Sequence, residues 1–291
     1  MTPTSNSTLL QPNSNPPPTQ PTPLLSAPKT LLIGATGTGK THSLRTYLEM
    51  GSAMKLFAIY TEPNGPEVND DLPRDQYHFR YIPAVAPNWD AMLELAQKIH
   101  TLSFDSLSKF QDPNRKLYTE FLDLLTCLSN FKCDCCGKEW GPVDKFPVKC
   151  ALAIDSLSGI NPMAMNLVVG GKPVKAPGDW AIAMTAINNL ITRLTAIHAP
   201  VCVTAHVERE TDEATGAMTL MASTLGRKLA PVLPRFFSDT ILAKRDGTKY
   251  TWSTAATGVD LKARNLPLGE GLEPSFKPIL TRWAGRNSFT F

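Results

Sequence analysis

Eight consecutive residues, Gly34-Ala35-Thr36-Gly37-Thr38-Gly39-Lys40-Thr41, fit the pattern G-x-x-x-x-G-K-[ST] at every fixed position, and they constrain the whole chain. Three glycines let the backbone turn tightly enough for its N–H groups to converge on phosphate oxygens. The helix that follows turns its positive N-terminal end toward the same anion. Lys40 adds a point charge for β- and γ-phosphates, the Thr41 hydroxyl is placed to ligate Mg²⁺, and His42 closes the nucleotide-contacting stretch. The flanks agree with this reading. Thr30 to Ile33 reads as a short buried strand running into the loop, and His42 to Met50 as a helix leaving it, stopped by Gly51.

A loop of this kind needs acidic partners on neighbouring strands. Lys55 to Tyr60 reads as a second core strand that ends at Thr61-Glu62, which makes Glu62 the candidate to orient or deprotonate an attacking water. Cys150-Ala151-Leu152-Ala153-Ile154-Asp155 is apolar on both faces, as a parallel strand covered by helices must be, and it places Asp155 at the tip as a Mg²⁺ holder. Val201 to Ala205 is another such strand and ends at His206. A polar side chain there can sense the γ-phosphate and relay its presence to the loop Glu208–Gly226; the competing reading is a structural histidine.

Between these strands lie weaker signals. His78 to Ile82 reads as a short strand closed by Pro83 and Pro87. Trp89, Met92, Leu93, Ala96 and Ile99, then Leu117, Phe121, Leu124, Leu125 and Leu128, recur at helical spacing and read as core. Residues 157–179, with Gly159, Gly170, Gly171 and Gly178, read as a mobile loop or a broken helix, and Trp180 to His198 as a long helix. Near the end, two strands are joined by Asp246-Gly247, a dipeptide that favours a tight hairpin turn.

The six cysteines point to thiols or metal rather than a disulfide framework. Cys133-x-x-Cys136-Gly137-Lys138 has the form of one zinc knuckle. With no second C-x-x-C in the chain, Cys127 and Cys150 are the candidates to complete a structural Zn²⁺ site, Cys135 being a spare. Reduced buried thiols and a redox-sensitive cluster are the competing readings.

Residues 1–28 hold no charged side chain and are dominated by Pro, Ser, Thr, Asn and Gln, a composition expected to stay disordered. No apolar run approaches the roughly 18 residues of a membrane span, and no basic, apolar leader opens the chain, so the expected location is cytoplasmic, with no membrane partner. The net charge of +3 is modest, yet Gly226 to Phe291 holds 11 Lys/Arg against 5 Asp/Glu. Such a basic quarter suits either a phosphate backbone or an ordinary solvated surface.

In this order the parts resemble the ATPase core of the RecA/RadA superfamily, and within it the compact phage RecA-like ATPases of single-strand annealing and recombination. The resemblance spans residues 29 to about 280. It rests on GATGTGKT, the strand ending in Glu62, the strand LAIDS with Asp155 and Ser156, the strand VCVTAH with His206, and the hairpin followed by Lys262-Ala263-Arg264. It implies an α/β RecA-like P-loop NTPase core at 29–281, with a mainly parallel central sheet flanked by helices, a Cys-rich insertion at 127–150, a C-terminal β-hairpin, and a tail at 282–291. It also implies Mg²⁺-dependent ATP hydrolysis with Glu62 as catalytic base and His206 as the coupling residue. Lys262 and Arg264 resemble a paired basic motif that reaches ATP on the next subunit or DNA. The implied partners are single-stranded DNA, further copies in a ring or filament, and a single-strand-binding or recombination protein, in the cytoplasm of a bacterial or phage-infected cell. The alternative is a P-loop motor or loader acting on a protein in DNA replication or packaging. The departures are Ala263 between the two basic residues, Asn265-Leu266 in place of the Phe-Gly that follows them, His206 where the recombinases carry glutamine, and a span from Glu62 to Asp155 lengthened by the cysteine module.

Overall fold

The computed structural model describes residues 25–63, 65–84, 88–211, 216, 218–226 and 228–291; the expected disordered stretch up to residue 24 and Pro87 lie outside them. In chain order the elements are β1 (Lys29–Gly34), α1 (Lys40–Ser43), β2 (Lys55–Tyr60), β3 (Tyr77–Tyr81), α2 (Trp89–Thr101), α3 (Phe104–Lys109), α4 (Glu120–Ser129), β4 (Cys150–Asp155), α5 (Leu157–Val169), α6 (Pro177–Ala196), β5 (Val201–Ala205), β6 (Val207–Thr211), β7 (Met218–Ala222), β8 (Asp239–Asp246), β9 (Lys249–Ser253) and α7 (Lys277–Asn287).

Seven strands form one sheet in the order β3-β2-β4-β5-β1-β8-β9, every pairing parallel except the last. The inner strands are hydrophobic throughout because both faces are covered, and alternation splits their side chains between two cores. Leu31, Ile33, Phe57, Ile59, Leu152, Ile154, Val201 and Val203 face α4, α5 and α6. Leu32, Leu56, Ala58, Ala151, Ala153, Cys202 and Ile241 face the segment after the P-loop and α7. The parallel sheet flanked by helices and the C-terminal hairpin β8–β9, with Gly247 in its turn at φ 57°, match the expected fold class.

Several local readings change. The helix after the P-loop is α-helical only over Lys40–Ser43 and continues as 3-10 helix from Leu44 to Met50. Residues expected to form a loop or broken helix instead carry the continuous helix α5. It is capped by the Ser156 hydroxyl, which accepts from the Gly159 N–H at 3.3 Å, and it is buried along its length. The loop expected after His206 holds the antiparallel hairpin β6–β7, apart from residues 212–215 and 217, which lie outside the described set. Helix α7 runs across residues 281 and 282, buries Trp283 and uses its indole N–H to hold the carbonyl of Ser26 at 3.0 Å. The largest change concerns α2. Its apolar stripe is not core: Trp89 is 83% exposed and Leu93 59%, and no residue of the helix is buried. Leu117, in the next stripe, is also in solvent, whereas Phe121 and Leu124 on α4 are buried.

Candidate functional site

β1 delivers Gly34 to the sheet's C-terminal edge, and the loop that follows turns on Gly37 and Gly39, at φ 75° and 80°, in a region of backbone space that favours glycine. A side chain at Gly39 would also stand only 3.0 Å from the Tyr250 ring. Lys40, buried at the start of α1, folds its ammonium back onto the carbonyls of Gly34 (2.8 Å) and Ala35 (2.9 Å). Burial lowers its pKa, and the carboxylates of Asp155 and Glu62 pull it back up. A cation so placed gains from an anion arriving in the loop, and the cradle fits a phosphate chain.

Parallel pairing of β2 with β4 sets Tyr60 beside Asp155 and so brings the two acidic tips together. Asp155 is buried and accepts from the Thr204 hydroxyl and from Thr41. Burial pushes its pKa up; those two hydrogen bonds oppose the rise, and the Glu62 charge adds to it. A carboxylate held in this way beside a threonine hydroxyl is a good fit for a divalent cation. Thr61 ties the tips: its N–H donates to the Asp155 carbonyl at 2.9 Å, and its hydroxyl bonds both the Ser156 carbonyl (2.7 Å) and the Ser156 N–H (2.9 Å).

Glu62 sits between two donors. The Ser156 hydroxyl donates to Oε1, and Nε2 of His206 lies 3.0 Å from Oε2. A carboxylate only accepts, so Nε2 carries a proton, and Nδ1 lies 3.5 Å from the Thr36 hydroxyl. The His206 N–H in turn donates to the Ser158 hydroxyl at 3.0 Å. One chain of contacts thus runs from the phosphate loop through His206 to Glu62 and into the start of α5.

The structure therefore gathers Lys40, Thr41, Asp155, Glu62, His206 and Thr36 at one place. His42 is exposed on α1. Lys262 and Arg264 stand elsewhere in the same protomer. Lys262 pairs its backbone with Thr240, three positions before the Ala243 that faces Gly34, and its ammonium donates to the Phe237 carbonyl at 2.7 Å. Arg264 is exposed, with its N–H held by the buried Asp239 at 2.8 Å. Sequence reasoning missed Thr204, Ser158, Arg245 and Tyr250. A threonine inside the apolar strand VCVTA was the available sign for the first. The last two overhang the loop only because β8–β9 folds back over it, with Tyr250 at Gly39 and Arg245 nearest Gly37.

The cysteines correct the expected zinc set. Among the described residues the ligand atoms of His78, Cys133, Cys135 and Cys136 all lie within 4.8 Å of one another, and Cys127 and Cys150 are not in that group. Cys127 belongs to α4 and Cys150 to the first position of β4, and both pack as apolar core. Burial pushes their thiols up to about 12 and about 11.

Sheet order and site together define a P-loop nucleotide-binding α/β fold with a mainly parallel sheet. The model of the AAA domain family matches residues 26–258, and the chain belongs to that family. No curated protein sequence matches it. Among solved structures, a prototypical ATPase from the type III secretion system of pathogenic bacteria is similar at 11% identity and a TM-score of 0.35, over 76% of this chain and 52% of that one. The chain thus spans about half the length of that ATPase. The RadB recombinase is similar at 13% identity and a TM-score of 0.32, over 85% of this chain and 86% of that one. At these scores both likenesses are loose.

Proposed function

We propose that the protein hydrolyses ATP with Mg²⁺ while assembled on single-stranded DNA. The observation that carries this reading is the contact chain Thr36–His206–Glu62, because His206 opens directly into the β6–β7 hairpin. A γ-phosphate beside the loop would alter the partners of His206, and with them the surface that follows it.

In this reading the loop amides and Lys40 hold the phosphates, and Thr41 and Asp155 hold the cation. Mg²⁺, when bound, neutralises charge that develops on the phosphate oxygens. Glu62, aimed by Ser156 and His206, takes the proton of the attacking water. Arg264, exposed and away from its own loop, reaches the nucleotide site of a neighbouring copy, with Lys262 bracing the strap that carries it; turnover then depends on assembly. The basic C-terminal quarter faces the DNA backbone, in the cytoplasm of a bacterial or phage-infected cell.

The test is the ATPase rate with and without single-stranded DNA across a salt series, for wild type and Lys40→Ala. Stimulation that fades with salt and is absent from Lys40→Ala supports the reading. Indifference to DNA overturns it in favour of a motor acting on a protein, the reading that the exposed apolar face of α2 favours.

A further inference from the structure

The cysteine module meets the sheet at its edge. Among the described residues β3 is the outermost strand and pairs only with β2, and the loop 131–141 covers its open side. The Asp134 N–H donates to the Phe79 carbonyl at 2.8 Å, the Asp134 carboxylate accepts from the Tyr81 N–H at 2.8 Å, and Arg80 pairs with the same carboxylate. This docking carries the knuckle to His78, the second residue of the edge strand. The knuckle itself is a tight turn: the Cys133 N–H bonds the Lys138 carbonyl, the Gly137 N–H bonds the Cys133 carbonyl, both at 2.9 Å, and Gly137 has φ 70°.

Around His78 the polar groups have little but sulfur for company. Its Nδ1 lies 3.9 Å from the Sγ atoms of both Cys135 and Cys136, and Cys133 Sγ lies 2.8 Å from Cys135 Sγ. Its other nitrogen is buried with no hydrogen-bond partner among the described residues, and Trp140 packs on the ring at 4.4 Å. Ligation of a metal ion through the thiol-facing Nδ1 would place the ring proton on Nε2 and fix the tautomer. One tetrahedral ion with Zn–S near 2.3 Å and Zn–N near 2.0 Å sets its ligand atoms about 3.5–3.8 Å apart, and the four atoms here already fall within 4.8 Å.

We infer that His78, Cys133, Cys135 and Cys136 form a structural Zn²⁺ site that clamps the cysteine module onto the edge strand β3. Three thiols lose their protons to solvent on ligation, so three thiolates and one neutral imidazole around a divalent ion leave one net negative charge. Three soft sulfurs and one imidazole select zinc over magnesium or calcium, and four protein ligands close the site to substrate. The site does not depend on the ATPase reading. It acts at a distance from the nucleotide by fixing β3, and through it β2, whose tip carries Glu62.

The experiment uses the full chain purified without chelator. Elemental analysis should give one zinc per chain, and replacement by Co²⁺ should give thiolate charge-transfer bands with the d–d absorption of a tetrahedral site. Cys136→Ser, at the exposed ligand, and His78→Phe should lose at least tenfold in metal affinity. Cys127→Ser and Cys150→Ser should retain it, and His78→Cys should restore it. Should a variant fail to fold, wild type still decides: adding a chelator must make Cys133, Cys135 and Cys136, and not the other three cysteines, newly reactive to alkylation. A folded wild type that carries no zinc and gives no cobalt spectrum, a Cys133–Cys135 disulfide by mass spectrometry, or chelator-dependent reactivity at Cys127 or Cys150 would overturn the assignment.

Discussion

Helix α6 buries Ile187, Leu190, Ile191 and Leu194 along one side, while α2, with apolar residues at similar spacing, buries none. The two helices differ in where the chain hangs them. α6 runs back from β4 toward β5, two adjacent strands of the sheet, so its apolar side meets a sheet face already walled by α5. α2 belongs to the long excursion between β3 and β4 that leaves from the edge strand and returns two places in. Helical spacing states which side of a helix is apolar; only topology states whether a sheet lies under it. The same contrast holds for polar side chains. At the strand tips Glu62, Asp155, His206 and Thr204 answer one another, whereas in the excursion Lys98 pairs with Glu94 on the surface one turn away.

The contrast breaks first if chemistry is not confined to the strand tips. Glu62→Gln keeps the size of the side chain but turns one accepting oxygen into a donor and removes its capacity to take a proton. Turnover should fall about 10²–10⁴-fold while ATP binding, followed by equilibrium dialysis, stays within a few-fold. Glu94→Gln on α2 should leave turnover as it is. Equal losses from both variants would dissolve the distinction between the two regions.

Next in size is the core that α6 encloses. Ile187 is fully buried in the core that α6 shares with α5, and Ile187→Ala should cost about 2–5 kcal/mol in urea unfolding. A loss below about 1 kcal/mol would mean that α6 is held no better than α2.

What could be read beforehand follows the same division. Phosphate and metal demand fixed residue types at fixed spacing, so the loop Gly34–Thr41 and the acids at Glu62 and Asp155 stand out in the sequence itself. The hydroxyls of Thr204, which donates to Asp155, and Ser158, which holds the His206 backbone N–H, do not, because they reach the site from different segments whose convergence is a property of strand order. His78 precedes Cys136 by 58 positions, and nothing local to C-D-C-C announces an imidazole from the edge strand. Cys150, by contrast, looked like a ligand because it lies near the knuckle in sequence, yet it opens a buried strand. The apolar stripe of α2 misled for the reason already given.

A charge buried beneath the sheet offers a finer probe. Lys29 is nearly inaccessible, with its ammonium donating to the carbonyls of Ala27 (3.0 Å) and Ala199 (2.6 Å), and burial lowers its pKa from 10.5 to about 8. Below about pH 8 the folded and unfolded chains both hold the proton, and the full cost of burying the charge is present. Between about 8 and 10.5 the unfolded chain keeps a proton that the folded one has shed, so this residue makes stability rise with pH. Relative to Lys29→Met, wild type should gain about 2 kcal/mol between pH 7 and pH 10 in urea titrations.

The smallest expected effect bears most directly on α2. Trp89→Ala and Leu93→Ala each remove a large apolar side chain, and in α6 that would open a cavity. On α2 there is little to lose, because the side chains stand in water in the folded chain nearly as they do in the unfolded one, and area that was never buried contributes nothing when deleted. Each should shift the unfolding free energy by no more than about 0.5 kcal/mol, at both low and high protein concentration. A loss above 1 kcal/mol that grows with concentration would show this face covered by a second copy in solution. A loss that ignores concentration would show it covered by the chain's own residues, and the difference between the two helices would then be one of degree.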